Sequence, residues 1–91
     1  MDAKEAVNLA KAHVSELFAD ENIVDLGLEE VEHDDRRHQW RITLGFARAW
    51  RRPGALAVWT SGFSDRTYKV VTIDRSGRPL SVKNRETTHA G

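Results

Sequence analysis

Apolar residues recur at helical spacing at the start of the chain, at Ala3, Val7, Ala10, Val14 and Leu17, with Ala6 and Phe18 widening the stripe. Lys4, Asn8, Lys11, Ser15 and Glu16 lie off it, so the pattern predicts an amphipathic helix over about 3–20 with one buried face. Asp2 followed three residues later by Glu5 has the form of a capping box, the Asp2 carboxylate accepting an amide of the first turn. The alanines of the stripe let the helix approach a sheet closely, and Leu17 and Phe18 fill the wider end. Asp20-Glu21-Asn22 is expected to end the helix.

The period then changes from helical to two. Val31 and His33 alternate with Glu30 and Glu32 in a half-buried strand over about 28–33, preceded by a connector that contains Gly27. Asp34-Asp35-Arg36-Arg37 is polar and of hairpin-loop length. The clearest strand follows over about 39–47, with Trp40, Ile42, Leu44 and Phe46 on one face and Arg41, Thr43, Gly45 and Ala47 on the other. The apolar set faces the helix; the small and polar set faces solvent or a partner. Matched parity between the two strands sets Arg41 across from Glu30 or Glu32.

The alternation stops at Arg48, and Pro53-Gly54 and Gly62 mark a long loop over 48–65. It resumes over about 66–74 through Tyr68, Val70, Val71, Thr72 and Ile73. Asp74-Arg75-Ser76-Gly77 is a turn, and a short strand over about 80–84 completes a second hairpin. Pro79 at the start of that strand fits an edge position, where no ladder hydrogen bond is lost. Residues 86–91 are expected to fray. The order predicts one α+β domain over residues 1–91: a helix packed on a four-stranded antiparallel meander, with the long loop between two hairpins.

The 91 residues fit one core, and 40% hydrophobic with 31% charged residues is ordinary for a globular chain. The absence of cysteine excludes disulfides, thiolate metal sites and thiol nucleophiles. No apolar run approaches membrane-spanning length, and the first residues carry no export signal, so no membrane association and a cytoplasmic location are expected. The net charge is zero, yet acid and base are segregated. Positions 20–35 hold eight acidic residues and no Lys or Arg; positions 36–64 hold six arginines and no Asp or Glu. Cross-strand pairing is expected to neutralise part of this division.

The stretch from Tyr68 to Val82, a tyrosine-led strand that ends in Asp74, turns through Gly77 and returns apolar, resembles the last hairpin of PepSY domains. The order of helix then strands is similar to PepSY and the broader cystatin-like folds over most of the chain outside 48–65. The glutamine-valine-glycine inhibitory loop of true cystatins is missing. The resemblance implies a non-catalytic role in binding or restraining another protein.

Candidate chemistry is sparse. His33, Asp34, Asp35 and His38 gather imidazoles and carboxylates at one turn, but without a third ligand of defined spacing they read as a polar hairpin tip, and no metal or cofactor is expected. Glu29, Glu30 and Glu32 read as a solvated strand face, and Ser61 and Ser64 as loop serines without a nucleophile elbow. No phosphate loop or dinucleotide fingerprint appears, and a thin two-layer domain leaves little cavity for a small-molecule substrate, so the chain reads as a non-enzyme. The sharpest signal is the segment 48–65. Arg48, Trp50, Arg51, Arg52, Trp59 and Phe63 join the residue types that dominate protein interfaces, and Ala55 to Trp59 is an apolar run that an ordinary solvent loop does not need. The first reading is a protein-interaction module whose partner is another protein or a second copy, using those six residues. The second is a nucleic-acid accessory protein using the same arginines and tryptophans for phosphate contact and base stacking.

Overall fold

The structure is a computed structural model that describes residues 1–48 and 66–85. One helix lies across a four-stranded antiparallel sheet in simple meander order, the α+β arrangement that the alternating periods predict. The expected loop 48–65, beyond its first residue, and the expected tail 86–91 lie outside the described residues.

Helix α1 spans Ala3–Leu17. Asp2 caps it: its backbone is extended, and its Oδ1 accepts the Glu5 amide at 2.8 Å. Ala6, Ala10 and Val14 are fully buried, so small side chains form the contact stripe. The helix stops earlier than the stripe predicts, and Ala19–Glu21 tighten into a 3-10 turn. Asp20 and Glu21 oppose the negative end of the helix dipole, and the last turn holds no basic residue to offset them. Asn22 then reverses the chain in the left-handed region at φ 51°, a conformation that Asn tolerates better than most residues.

The strands are β1 (Ile23–Asp34), β2 (Gln39–Arg48), β3 (Thr67–Asp74) and β4 (Pro79–Asn84). Three of them agree with the expected ranges to within a residue. Strand β1 begins at Ile23, inside what the sequence presents as a connector. Its register against β2 slips between Val24 and Gly27 and again between Leu28 and Glu30, and Asp25 has a positive φ of 56°. Each slip interrupts the period-two signal that would reveal a strand.

Ile42, Leu44 and Phe46 of β2 and Val71 and Ile73 of β3 are fully buried beneath the helix. The Phe18 ring lies 5.4 Å from the Phe46 ring and closes the core at the C-terminal end of α1. The register sets Glu32 opposite Arg41, whose guanidinium reaches Glu32 Oε1 at 3.2 Å and Asp34 Oδ2 at 3.4 Å. The acidic and basic blocks therefore interleave at this point. Arg41 and Glu32 are half exposed, so that pair contributes at most about 1 kcal/mol.

The face of β2 away from the helix is less open than its composition suggests. Thr43 and Ala47 are only 6% and 7% exposed. Above Gly45 the space that a side chain would fill is taken: a Cβ there would lie 3.0 Å from both Arg66 Nη2 and Tyr68 Cε1. Tyr68 is the direct cross-strand neighbour of Gly45 and folds over it.

Candidate interaction surface

The end of the sheet from which segment 49–65 departs is built by Arg48 and Arg66. Arg48 ends β2 opposite Ile23, its side chain on the helix side above the Phe46 ring, 5.6 Å from the centroid. Its Nε donates to Glu21 Oε1 at 3.2 Å and its Nη1 to Thr67 Oγ1 at 3.2 Å, so the 3-10 turn, β2 and β3 are tied together by one guanidinium. On the opposite face Arg66 Nη2 donates to the Asp25 carbonyl at 3.0 Å. That carbonyl belongs to the irregular start of β1, where the ladder to β2 is interrupted. Both residues bracketing the segment are thus clamped to β1 or its approach, one from each face of the sheet.

Beside them, β3 and β4 form a second surface on the face away from the helix. Val82 packs against the core, so Lys83 and Ser81 project from the other side of β4. Arg85 continues that side, since its amide donates to the Tyr68 carbonyl at 3.2 Å and extends the ladder. Its guanidinium carbon sits 4.1 Å from the centroid of the Tyr68 ring, close enough for a cation–π contact. Lys69, on the helix side, is occupied otherwise: it donates to the Asn84 side chain and lies 5.6 Å from the Phe18 ring.

Charge is distributed across the sheet rather than mixed within it. Positions 20–35, which supply β1 and its approach, hold eight carboxylates and no Lys or Arg. Positions 66–85, which supply β3, β4 and their turn, hold six cations, Arg66, Lys69, Arg75, Arg78, Lys83 and Arg85, against the single carboxylate of Asp74. In the order β1-β2-β3-β4 one edge is acidic and the other basic. The ion pairs among the described residues are His33–Asp35, Arg41–Glu32, Arg41–Asp34 and Arg48–Glu21, and none includes a cation of 66–85.

At the opposite end the two hairpin turns lie side by side, Gln39 facing Asp74 across β2 and β3. Each is organised by an aspartate. Asp34 Oδ1 accepts the amides of Arg36 and Arg37, and Asp74 Oδ1 accepts the Ser76 amide and hydroxyl and the Arg78 amide. The Arg37 amide above all, then the Arg36 amide and the guanidiniums of Arg41 and Arg37, hold the Asp34 carboxyl below its ordinary value. The Ser76 hydroxyl, followed by the Arg78 and Ser76 amides, does the same for Asp74. His33 Nδ1 bonds Asp35 Oδ1 at 2.6 Å, and its ring meets Trp40 edge-on at 4.6 Å. The turn residues are therefore engaged with one another, and no group of three metal-ligating side chains forms among the described residues. Nor is any described helix long and apolar enough to cross a membrane.

Of the residues singled out from the sequence, Arg48 stands at the end of β2 with its guanidinium engaged inside the chain. Trp50, Arg51, Arg52, Trp59 and Phe63 lie outside the described residues. Sequence reading passed over the surface of Tyr68, Lys83 and Arg85. Its signal is present, as cations at alternate positions 83 and 85 after the apolar Val82, but pairing Arg85 with Tyr68 requires the register of β3 against β4. Comparison with family models, with curated proteins and with solved structures finds no match to this chain.

Proposed function

We propose that this chain is a non-enzymatic protein-interaction module that presents segment 48–65, with Trp50, Arg51, Arg52, Trp59 and Phe63, from one end of a rigid sheet. The observation that supports it is the double clamp at Arg48 and Arg66. The residues that bracket 49–65, Arg48 at the end of β2 and Arg66 just before β3, are held by side-chain bonds to the 3-10 turn, to Thr67 and to β1, which is how a scaffold supports a binding loop. Arg48 serves in this reading as the anchor of the segment, and the tryptophans carry the contact, since Trp and Arg dominate interface energetics. The PepSY-like pattern of Tyr68 to Val82 supports the same role, that of a domain that binds or restrains another protein. The partner is a second copy or a different protein, and the location that fits is the cytoplasm.

Amide hydrogen exchange across 49–65, followed at low and high protein concentration, tests this, because it reports opening free energy segment by segment. The expected result is fast exchange in dilute solution and protection that appears on self-association or on addition of a binding partner. Trp50→Ala combined with Trp59→Ala should abolish that protection while the far-ultraviolet circular dichroism of the sheet persists. Protection at every concentration, together with unfolding of the double variant, would assign the tryptophans to the core and refute the proposal.

A further inference from the structure

We propose that the basic β4 edge, with the Tyr68–Arg85 stack as its platform, binds an extended single-stranded nucleic acid. This surface consists of described residues outside 48–65, so it stands independently of the reading above. Three exposed cations, Arg78, Lys83 and Arg85, follow β4 from its turn to its end, and no carboxylate among the described residues lies within ion-pair distance of them. Three cations along one strand match a linear polyanion rather than a small ligand.

Two features select the single strand. The first is stacking: bases are recognised by aromatic rings and guanidinium planes, and Tyr68, lying beneath Arg85, holds that guanidinium on the sheet face as the stacking surface. An acidic peptide has no use for such a platform. The second is the width of the basic zone. Strands β1 and β4 are separated by three strand spacings, about 14 Å, more than the screening length of roughly 8–10 Å in physiological salt. A chain lying along β4 is thus screened from the carboxylates of β1. A duplex, wider than this separation, would bring its phosphates over Glu30 and Glu32, which are exposed.

The test is fluorescence anisotropy of a labelled oligothymidylate with the full chain at about 50 and 200 mM salt. Neutralising roughly three phosphates gives a slope of about −0.7 per phosphate in log K against log salt, hence a loss of roughly twenty-fold between the two conditions. Lys83→Gln with Arg85→Gln should bring that dependence down to the slope of a single contact. Arg85→Lys keeps the charge and removes the planar group, so the salt slope should stay while affinity falls roughly fivefold or more. Lys4→Gln with Lys11→Gln, which removes two charges from the helix on the other layer, should leave binding unchanged. A duplex of the same length should bind more weakly than the single strand. The proposal is overturned by absence of binding at low salt, by equal loss in the helix variant, by equal affinity for the duplex, or by polyglutamate competing as well as the oligonucleotide does. All variants are surface changes, and circular dichroism verifies their fold.

Discussion

Replacing Gly45 tests whether the second face of the sheet is packed as described. Gly in a strand interior loses about 0.5–1 kcal/mol relative to Ala, so on intrinsic grounds Gly45→Ala should stabilise the protein. The local geometry opposes this. The new Cβ would stand 3.0 Å from Tyr68 Cε1, 3.1 Å from Tyr68 Cδ1 and 3.0 Å from Arg66 Nη2. The Arg66 group is the end of a long side chain and can retreat, at the loss of its bond to the Asp25 carbonyl. The Tyr68 ring has less freedom, because its backbone is fixed opposite Gly45 by the β2–β3 register and Arg85 lies over its ring.

Overpacking of this kind costs about 1–3 kcal/mol. Set against the intrinsic gain, Gly45→Ala should destabilise by roughly 0.5–2 kcal/mol, and Gly45→Val by more, since its two further carbons meet the same ring. Urea unfolding followed by circular dichroism measures both, and Tyr68→Ala completes a double-mutant cycle. In the Tyr68→Ala background the clash with the ring is gone and the end of the Arg66 side chain can retreat, so Gly45→Ala should become neutral or stabilising, a coupling of about 1 kcal/mol or more. A Gly45→Ala variant stabilised by the full intrinsic amount, or additive behaviour of the pair, would refute the claim that Tyr68 occupies this space.

Further outcomes follow from the turns and the clamp. His38 sits at φ 53°, and His38→Gly should raise the unfolding free energy measured in urea by about 1 kcal/mol, because glycine removes the left-handed strain that a β-carbon imposes there. Asp34 and Asp74 have folded values below their unfolded one, so their stabilisation is complete above about pH 4 and is lost as pH falls through the folded values. Stability measured at pH 7 and pH 3 should therefore fall with acid, and Asp74→Asn should make the fall shallower. Phe46→Ala should cost about 3–5 kcal/mol as a fully buried ring is lost. By contrast, Arg48→Met paired with Glu21→Gln in a cycle should show a coupling of only about 0.2–1 kcal/mol, as expected of a partly exposed pair.

How much of this fold could be read from the chain depends on whether a period survives into the structure. Ile42, Leu44 and Phe46 announce β2 because its ladder with β3 runs from Gln39 to Phe46 without a slip. Asp2 announces the helix start because capping is local, decided within three residues. The beginning of β1 was hidden for the opposite reason. Two register slips and the positive φ of Asp25 shift side chains between faces, and a linear pattern cannot encode a pairing that is itself irregular. Composition also misled on the far face of β2, where Thr43, Gly45 and Ala47 looked open. Thr43 and Ala47 are buried, and the space above Gly45 is taken by Tyr68 and Arg66, which are distant in sequence and adjacent only after β3 pairs.

The same division between local and assembled information governs the surfaces. Residues 48–65 stand out in the sequence because arginine, tryptophan and an apolar run depart from loop composition within a few positions. The basic edge does not, because its six cations are scattered among Tyr68, Val71, Ile73 and Val82 and look like the solvated positions of an ordinary hairpin. Meander order turns them into a surface. It places the acid-rich strand and the base-rich hairpin at opposite edges, and among the described residues Arg41 and Arg48 of β2 supply the ion pairs from arginine to the acidic side. A neutral chain thereby becomes a polar sheet. Its long-range field is weak, so attraction for a polyanion should be confined to contact along β4 and should show itself in salt dependence rather than in fast association.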